Sequence, residues 1–237
     1  MIPLMHTSIH LAALAAVLVL LGGLWRHGGH IVPDVSSSSL RPSDSASSNH
    51  EKVKVQVSIE SLCIDSKVYI LQELVPTFGS PLSEVMDLEV VVFGNAQLHT
   101  DTRTVTCQHG EAECDANVYE QCAINNFVYP SRYLPFLACL FENLPMGHAD
   151  TAYDASYFAQ CARVAALDFS TIAACHTMDA WAMQIQSATR TPPHDHVPWL
   201  MVDGVATPED KSSLATIVCD ALAKKGGQHS LCETVEV

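Results

Sequence analysis

Cys63 stands where one kind of sequence pattern gives way to another. Val53 to Ile59 (VKVQVSI) alternates apolar and polar residues and is β-branched, which predicts a strand. Lys67 to Phe78 (KVYILQELVPTF) places Val68, Ile70, Leu71, Leu74 and Val75 at helical spacing, with Pro76 near its end. A cysteine at such a junction lies on the first turn of the helix. There, unpaired backbone N–H groups and the positive end of the helix dipole favour thiolate over thiol. The thiolate is the attacking species in disulfide exchange, so Cys63 is the candidate nucleophile. A buried structural cysteine is the plainer reading of the same position.

The densest run of reactive residue types is Cys107 to Cys122, CQHGEAECDANVYEQC. Cys114 and Cys122 lie on nearly the same face of a helix. Together with Cys107 and His109 they have the makings of a Cys3His zinc site. Disulfides bracing a helical segment are the favoured alternative, because short C-x2-C pairs are missing and the compartment reads as oxidising. No metal is therefore expected. Apart from Cys63 there are eight cysteines: Cys107, Cys114, Cys122, Cys139, Cys161, Cys175, Cys219 and Cys232. Eight allow roughly a hundred pairings, so no partners are assigned. An even set plus one leaves Cys63 as the natural spare.

Oxidising surroundings follow from the N-terminus. Leu11 to Trp25 (LAALAAVLVLLGGLW) is an unbroken apolar run with the length of a signal-peptide h-region, short for a membrane span. Its n-region has His6 and His10 but no Lys or Arg, and no clean A-x-A site follows. Both a cleaved signal peptide and an uncleaved signal anchor fit residues 1–30, and both deliver the chain to the secretory pathway. Contact with a membrane is expected only for the anchor. The Ser-rich stretch 31–52 reads as a flexible linker.

With 237 residues the chain has room for one domain with a sizeable core, so its nine cysteines do not compensate for a lack of apolar surface. Only 16% of residues are charged and 48% are hydrophobic, which excludes a disordered chain. The 26 acidic against 12 basic residues, with no basic stripe, argue against nucleic-acid binding. Protonating all 12 histidines would cancel most of the −14 net charge, which is compatible with an acidic compartment.

Other elements frame Cys63. Asp87 to Phe93 (DLEVVVF) predicts a buried strand, giving β-α-β at the start. Segments 111–127, 131–143, 151–167 and 170–189 are helical in spacing, separated by Pro130, Pro145-Met146-Gly147 and Asp168. Val197 to Val202 reads as a strand, Asp203-Gly204 as a hairpin turn, and Asp210 to Lys225 as an amphipathic helix. The expected fold class is α/β, with a domain at 53–225, a helical insert at about 107–190 and a tail at 226–237. That order is similar to thioredoxin-like proteins carrying a disulfide-braced helical insertion.

The run from Cys107 to Cys122 matches, position for position, the signature C-Q-H-G-x2-E-C-x2-N-x4-C. In this the chain resembles the gamma-interferon-inducible lysosomal thiol reductases. The likeness spans about residues 53 to 222, with flanking blocks at Gly94 to Gln97 and Pro192 to Trp199. It implies a thiol–disulfide oxidoreductase with Cys63 as catalytic thiol, acting on disulfide-containing or unfolding client proteins. It also implies that Pro198 is a cis-proline packed against the reactive cysteine, with Val197 and Pro198 binding an extended substrate peptide. No cofactor is implied beyond an external small thiol, such as glutathione or cysteine. The address is lysosomal or endosomal by resemblance, or extracellular.

The chain departs from the family at one decisive place. A C-x-x-C motif is expected, and Cys63-Ile64-Asp65-Ser66 stands there. The hydroxyl of Ser66 has the means to donate a hydrogen bond to the thiolate, but it cannot displace a sulfur. Cys63 keeps the attack on a disulfide, while release needs an outside thiol. Asp65 opposes thiolate formation at neutral pH, and His194 and His196 are available to offset it. No N-x-S/T sequon occurs, so no N-glycan serves for sorting. Three readings follow: a monothiol reductase or isomerase, a client-binding protein without turnover, and a disulfide-stapled module in which Cys63 is inert or joins two chains.

Overall fold

The computed structural model describes residues 50–207 and 212–234. The expected targeting segment at 1–30 and nearly all of the linker at 31–52 lie outside those residues. Strand β1 (Val53–Ile59) buries Val53, Val55, Val57 and Ile59 completely, as its alternation requires. It forms the middle of a four-stranded sheet of order β2-β1-β5-β6. Strand β2 (Met86–Val92) runs parallel to it, with Val53 opposite Met86 and Ile59 opposite Val92. On the other side β5 (Trp199–Val202) runs antiparallel, Ser58 facing Trp199, and β6 (Val205–Ala206) follows through Asp203-Gly204. Both turn residues have positive φ, which suits a tight hairpin.

The crossover from β1 to β2 is a helical run in three parts: α1 (Ile64–Tyr69), a π turn (Ile70–Leu74) and α2 (Val75–Gly79). Pro76 has no N–H to give to a carbonyl one turn back, and the wider turn before it accommodates that loss. Ile70 and Leu74 point into the core beneath the sheet. Helix α7 (Leu214–Lys224) adds Leu214, Val218 and Leu222 to that core. The segment read as a tail is fastened back to α7 by Cys219–Cys232, as far as Thr234.

Between β2 and β5 the chain inserts a small hairpin and four helices. The hairpin, β3 (Gln97–His99) and β4 (Thr104–Thr106), was not expected, since three residues are too few to show a period. The helices are α3 (Glu111–Asn126), α4 (Pro130–Asn143), α5 (Ala155–Val164) and α6 (Phe169–Arg190). Tyr133, Phe136, Phe141 and Phe158 fill the space among them, and the Tyr119 ring stacks on Phe158 at 3.8 Å and on His176 at 3.9 Å. Helix α3 is unlike the others, because it buries Glu113, Asn117, Glu120 and Gln121 along with its apolar residues.

Disulfides close loops of different lengths in this insert. Cys122–Cys175 ties α3 to α6 across a sequence separation of 53, and Cys139–Cys161 ties α4 to α5 across 22. By chain entropy, a bridge over the longer span restricts the unfolded chain by about 4 kcal/mol, against about 3 kcal/mol for the 13-residue Cys219–Cys232 span. Replacing both cysteines of a pair by alanine and unfolding in denaturant should rank Cys122/Cys175 as the costlier loss. An equal or smaller loss there would show that side-chain packing, rather than this bridge, holds α3 to α6.

Candidate functional site

Cys63 occupies the N-cap of α1, and its Sγ accepts a hydrogen bond from the Ser66 N–H at 3.5 Å. It is 7% exposed and is the free cysteine among the described residues. The residue before it, Leu62, has φ 60°, a left-handed conformation that a side chain makes costly by about 1–2 kcal/mol. Two contacts hold it there: its side chain is fully buried, and its carbonyl accepts from the Gly147 N–H at 2.8 Å. Backbone strain maintained by surrounding structure is a mark of functional loops.

Ser66 is fully buried, and its Oγ accepts from the Glu60 N–H at 3.4 Å. The sequence reading gave this hydroxyl to the sulfur. The structure instead gives the sulfur the Ser66 backbone N–H, and the hydroxyl caps the end of β1.

Beneath the Cys63 loop lies a buried polar network that sequence reasoning did not find. Ser61 N–H donates to Asn117 Oδ1 at 2.9 Å, and the Ser61 hydroxyl donates to Glu120 Oε1 at 2.7 Å. Glu60 Oε2 accepts from the Asn95 N–H at 2.8 Å, and Glu113 Oε1 accepts from the Gln108 N–H at 3.1 Å. His109 Nδ1 faces both carboxylates, in contact with Glu113 Oε2 and 3.6 Å from Glu60 Oε1. Burial pushes all three carboxyl groups up: Glu60 and Glu113 to about 7, and Glu120 to about 8. For Glu60 the neighbouring Glu113 charge adds to the effect, while the Ser61 hydrogen bond opposes it for Glu120.

The glycines of the two motif blocks are explained by this crowding. Gly94 has φ +56°, and a Cβ there would run into the Glu60 side chain. Gly110 has φ +90°, and a Cβ would lie 2.5 Å from the Ala149 carbonyl oxygen. The sequence signal for the network was a lone glutamate after VSI and polar residues at helical spacing on α3. Both are equally consistent with exposed positions.

Val197 and Pro198 lie at the other side of the loop. Their peptide bond is cis, Val197 is buried, and Pro198 is partly exposed. A cavity of about 390 Å³ is lined by Asp65, Tyr69, His196, Val197, Pro198 and Trp199 among others. Asp65 and the proline thus share one concave surface beside the first turn of α1. Ile64 (56% exposed) and Val68 (44% exposed), one turn apart, add an apolar rim to that end of the helix. Of the two histidines expected to bring compensating charge, His196 lines this cavity and pairs with Asp195 at 2.7 Å. His194 Nδ1 is instead 2.8 Å from the Pro192 carbonyl.

The remaining cysteines form four bridges: Cys107–Cys114, Cys122–Cys175, Cys139–Cys161 and Cys219–Cys232. The alternative Cys3His zinc reading fails for that reason. Cys107, Cys114 and Cys122 have no free sulfur to offer, and His109 turns to carboxylates.

Comparison with known proteins gives the same picture. The family model for Gamma interferon inducible lysosomal thiol reductase (GILT) matches residues 54–165. The chain is 31% identical over 195 residues to the gamma-interferon-inducible lysosomal thiol reductase of Carassius auratus, covering 78% of this chain and 73% of that protein. It is also 31% identical over 191 residues to the gamma-interferon-responsive lysosomal thiol protein of Arabidopsis thaliana, covering 77% and 76%. Among solved structures it is similar in fold to reduced DsbA from Mycobacterium tuberculosis (TM-score 0.54, 12% identity, 80% of this chain and 90% of that one). Oxidised BdbD from Bacillus subtilis is similar too (TM-score 0.51, 13% identity, 73% and 86%). The fold is thioredoxin-like, and the chain belongs to the gamma-interferon-inducible lysosomal thiol reductase family.

Proposed function

We propose that this chain is a monothiol thiol–disulfide oxidoreductase of the secretory-pathway lumen, with Cys63 as its nucleophile. The carrying observation is the geometry at Cys63: a free sulfur capping a helix, with serine where a resolving cysteine would stand. The Cys63 thiolate attacks one sulfur of a client disulfide, forming a mixed disulfide and releasing the other sulfur as a thiolate. An external thiolate, from glutathione or cysteine, then attacks the mixed disulfide and frees Cys63. A second external thiol completes the two-electron reduction, so two small thiols are oxidised for each client disulfide reduced.

Clients are disulfide-bearing proteins in partly unfolded form. The exposed Ile64 and Val68 offer them an apolar contact next to the sulfur, and Val197 and Pro198 offer the wall of the cavity. The four bridges support an oxidising lumen. The lysosomal names of the relatives support its acidic branch. Residues 1–30 serve as the targeting segment; among the described residues, no helix is long and apolar enough to cross a membrane.

Insulin reduction at about pH 5 and about pH 7, with glutathione or cysteine, tests the mechanism. Wild type should turn over with added thiol, Cys63→Ala should be silent, and Ser66→Cys should be faster and less dependent on the thiol. Activity confined to Ser66→Cys would replace turnover by client capture. Silence of all three in folded protein would sink the redox reading.

An acidic address also bears on stability through Glu120. Its folded-state value of about 8 lies above the ordinary 4.5, so the folded chain holds a proton that the unfolded chain has lost across that interval. The contribution is fully present below about 4.5 and disappears as pH rises through about 8. Thermal unfolding with a chelator present should therefore show a fall in Tm between about pH 5 and about pH 8. Glu120→Gln should flatten that fall by several degrees. An unchanged slope in the variant would mean that Glu120 does not hold the proton.

A further inference from the structure

Two buried carboxylates and an imidazole converge beside the reactive loop, and the redox chemistry does not use them. Each carboxylate has one oxygen fixed from outside: Glu60 Oε2 by the Asn95 N–H, Glu113 Oε1 by the Gln108 N–H. The other oxygen of each is turned inward toward His109 Nδ1. One donor atom from each of Glu60, His109 and Glu113 lies within 4.8 Å of the other two. Both glutamates are fully buried, and Glu60 Oε1 has no hydrogen-bond partner among the described residues. An orphaned carboxylate oxygen in the interior is expensive unless something positive faces it.

The loop that carries the ligands is held in advance. Cys107–Cys114 closes it, Gly110 turns it at positive φ, and the His109 carbonyl accepts from the Ala149 N–H at 2.8 Å. Outer hydrogen bonds that orient ligating groups, as the Asn95 and Gln108 N–H groups do here, are the usual companions of metal sites.

We propose that Glu60, His109 and Glu113 form a binding site for a zinc-type divalent cation. One nitrogen and two oxygen donors suit Zn²⁺, whereas the imidazole disfavours Ca²⁺ and Mg²⁺. A tetrahedral ion about 2.1 Å from each donor sets the donors about 3.4 Å apart; His109 Nδ1 and Glu60 Oε1 stand 3.6 Å apart, whereas His109 Nδ1 and Glu113 Oε2 touch and must part to admit the ion. The His109 side chain is 19% exposed, so the cluster is reached from solvent through the histidine. Bound there, the ion ties the end of β1, just ahead of Cys63, to the first turn of α3. This site shares only His109 with the cysteine-based zinc reading, uses no sulfur, and does not depend on turnover by Cys63.

The test is equilibrium dialysis of the disulfide-intact chain against Zn²⁺ at neutral pH, with excess Ca²⁺ and Mg²⁺, and metal counted per chain. Wild type and Cys63→Ala should each hold about one zinc, while His109→Gln, Glu60→Gln and Glu113→Gln should each weaken binding at least about tenfold. Co²⁺ loaded into wild type should show tetrahedral d–d bands without a thiolate charge-transfer band. That spectrum reads the donor set even where a glutamate variant fails to fold. Zinc that disappears in Cys63→Ala, a thiolate band in the cobalt spectrum, or no zinc in wild type would each overturn the proposal. In the last case the cluster is a proton-sharing group only.

Discussion

A loop shut away from water needs hydrogen-bond partners for its polar groups, and most of those from Glu60 to Ser66 find one within a few residues, Glu60 Oε1 being the exception. The Glu60 N–H goes to the Ser66 hydroxyl and the Ser61 N–H to Asn117. The Ser61 hydroxyl goes to Glu120, and the Leu62 carbonyl receives the Gly147 N–H. Two of these partners lie on α3 and one in the loop after α4. The position of Cys63 is therefore set by the insert as much as by the sheet. This explains why the insert has to be rigid, since a loose α3 would leave Ser61 unpaired in the interior at a cost of roughly 1–3 kcal/mol per group.

The bridges serve that same end. Cys107–Cys114 fixes the turn that leads into α3, and Cys122–Cys175 fixes the far half of the helix against α6. Between the two bridges lie Asn117 and Glu120, the residues that hold Ser61. The signature run is thus one mechanical unit: bridge, ligand-like loop, buried polar contacts, bridge. Its glycine is required because the Ala149 backbone passes where a side chain would be.

Sequence patterns revealed the sheet strands and helices well wherever burial had a period. Val53–Ile59 forms a strand at the expected bounds and buries its apolar positions, though Ser58 is buried as well, and the four insert helices lay within a few residues of their apolar spacing. The free cysteine was legible because a helix start and an odd cysteine coincide at position 63. The polar network was not legible. Glu60, Asn117 and Glu120 have the residue types of a solvated surface, and only tertiary contacts take them inside. The short hairpin at 97–106 was hidden because its three-residue strands show no period, and the pairing of the eight cysteines because spacing alone leaves it open.

Ser66 links the Cys63 loop to the buried cluster. The position that carries a resolving cysteine in the family motif is buried here, and its side chain accepts a backbone hydrogen bond from Glu60. A hydroxyl is a better acceptor than a thiol, so serine holds the end of β1 more firmly than cysteine would. Glu60 is also the residue whose carboxylate turns toward His109 and Glu113. On the proposed mechanism the exchange of sulfur for oxygen removes intramolecular release; it also strengthens the anchor of the buried cluster. On the proposed mechanism the chain keeps the attacking half of the reaction and hands the resolving half to small thiols. The loop then needs only to hold Cys63 still. It does not need to let a second sulfur approach, and the tight packing around Leu62 and Ser66 is consistent with that lighter demand.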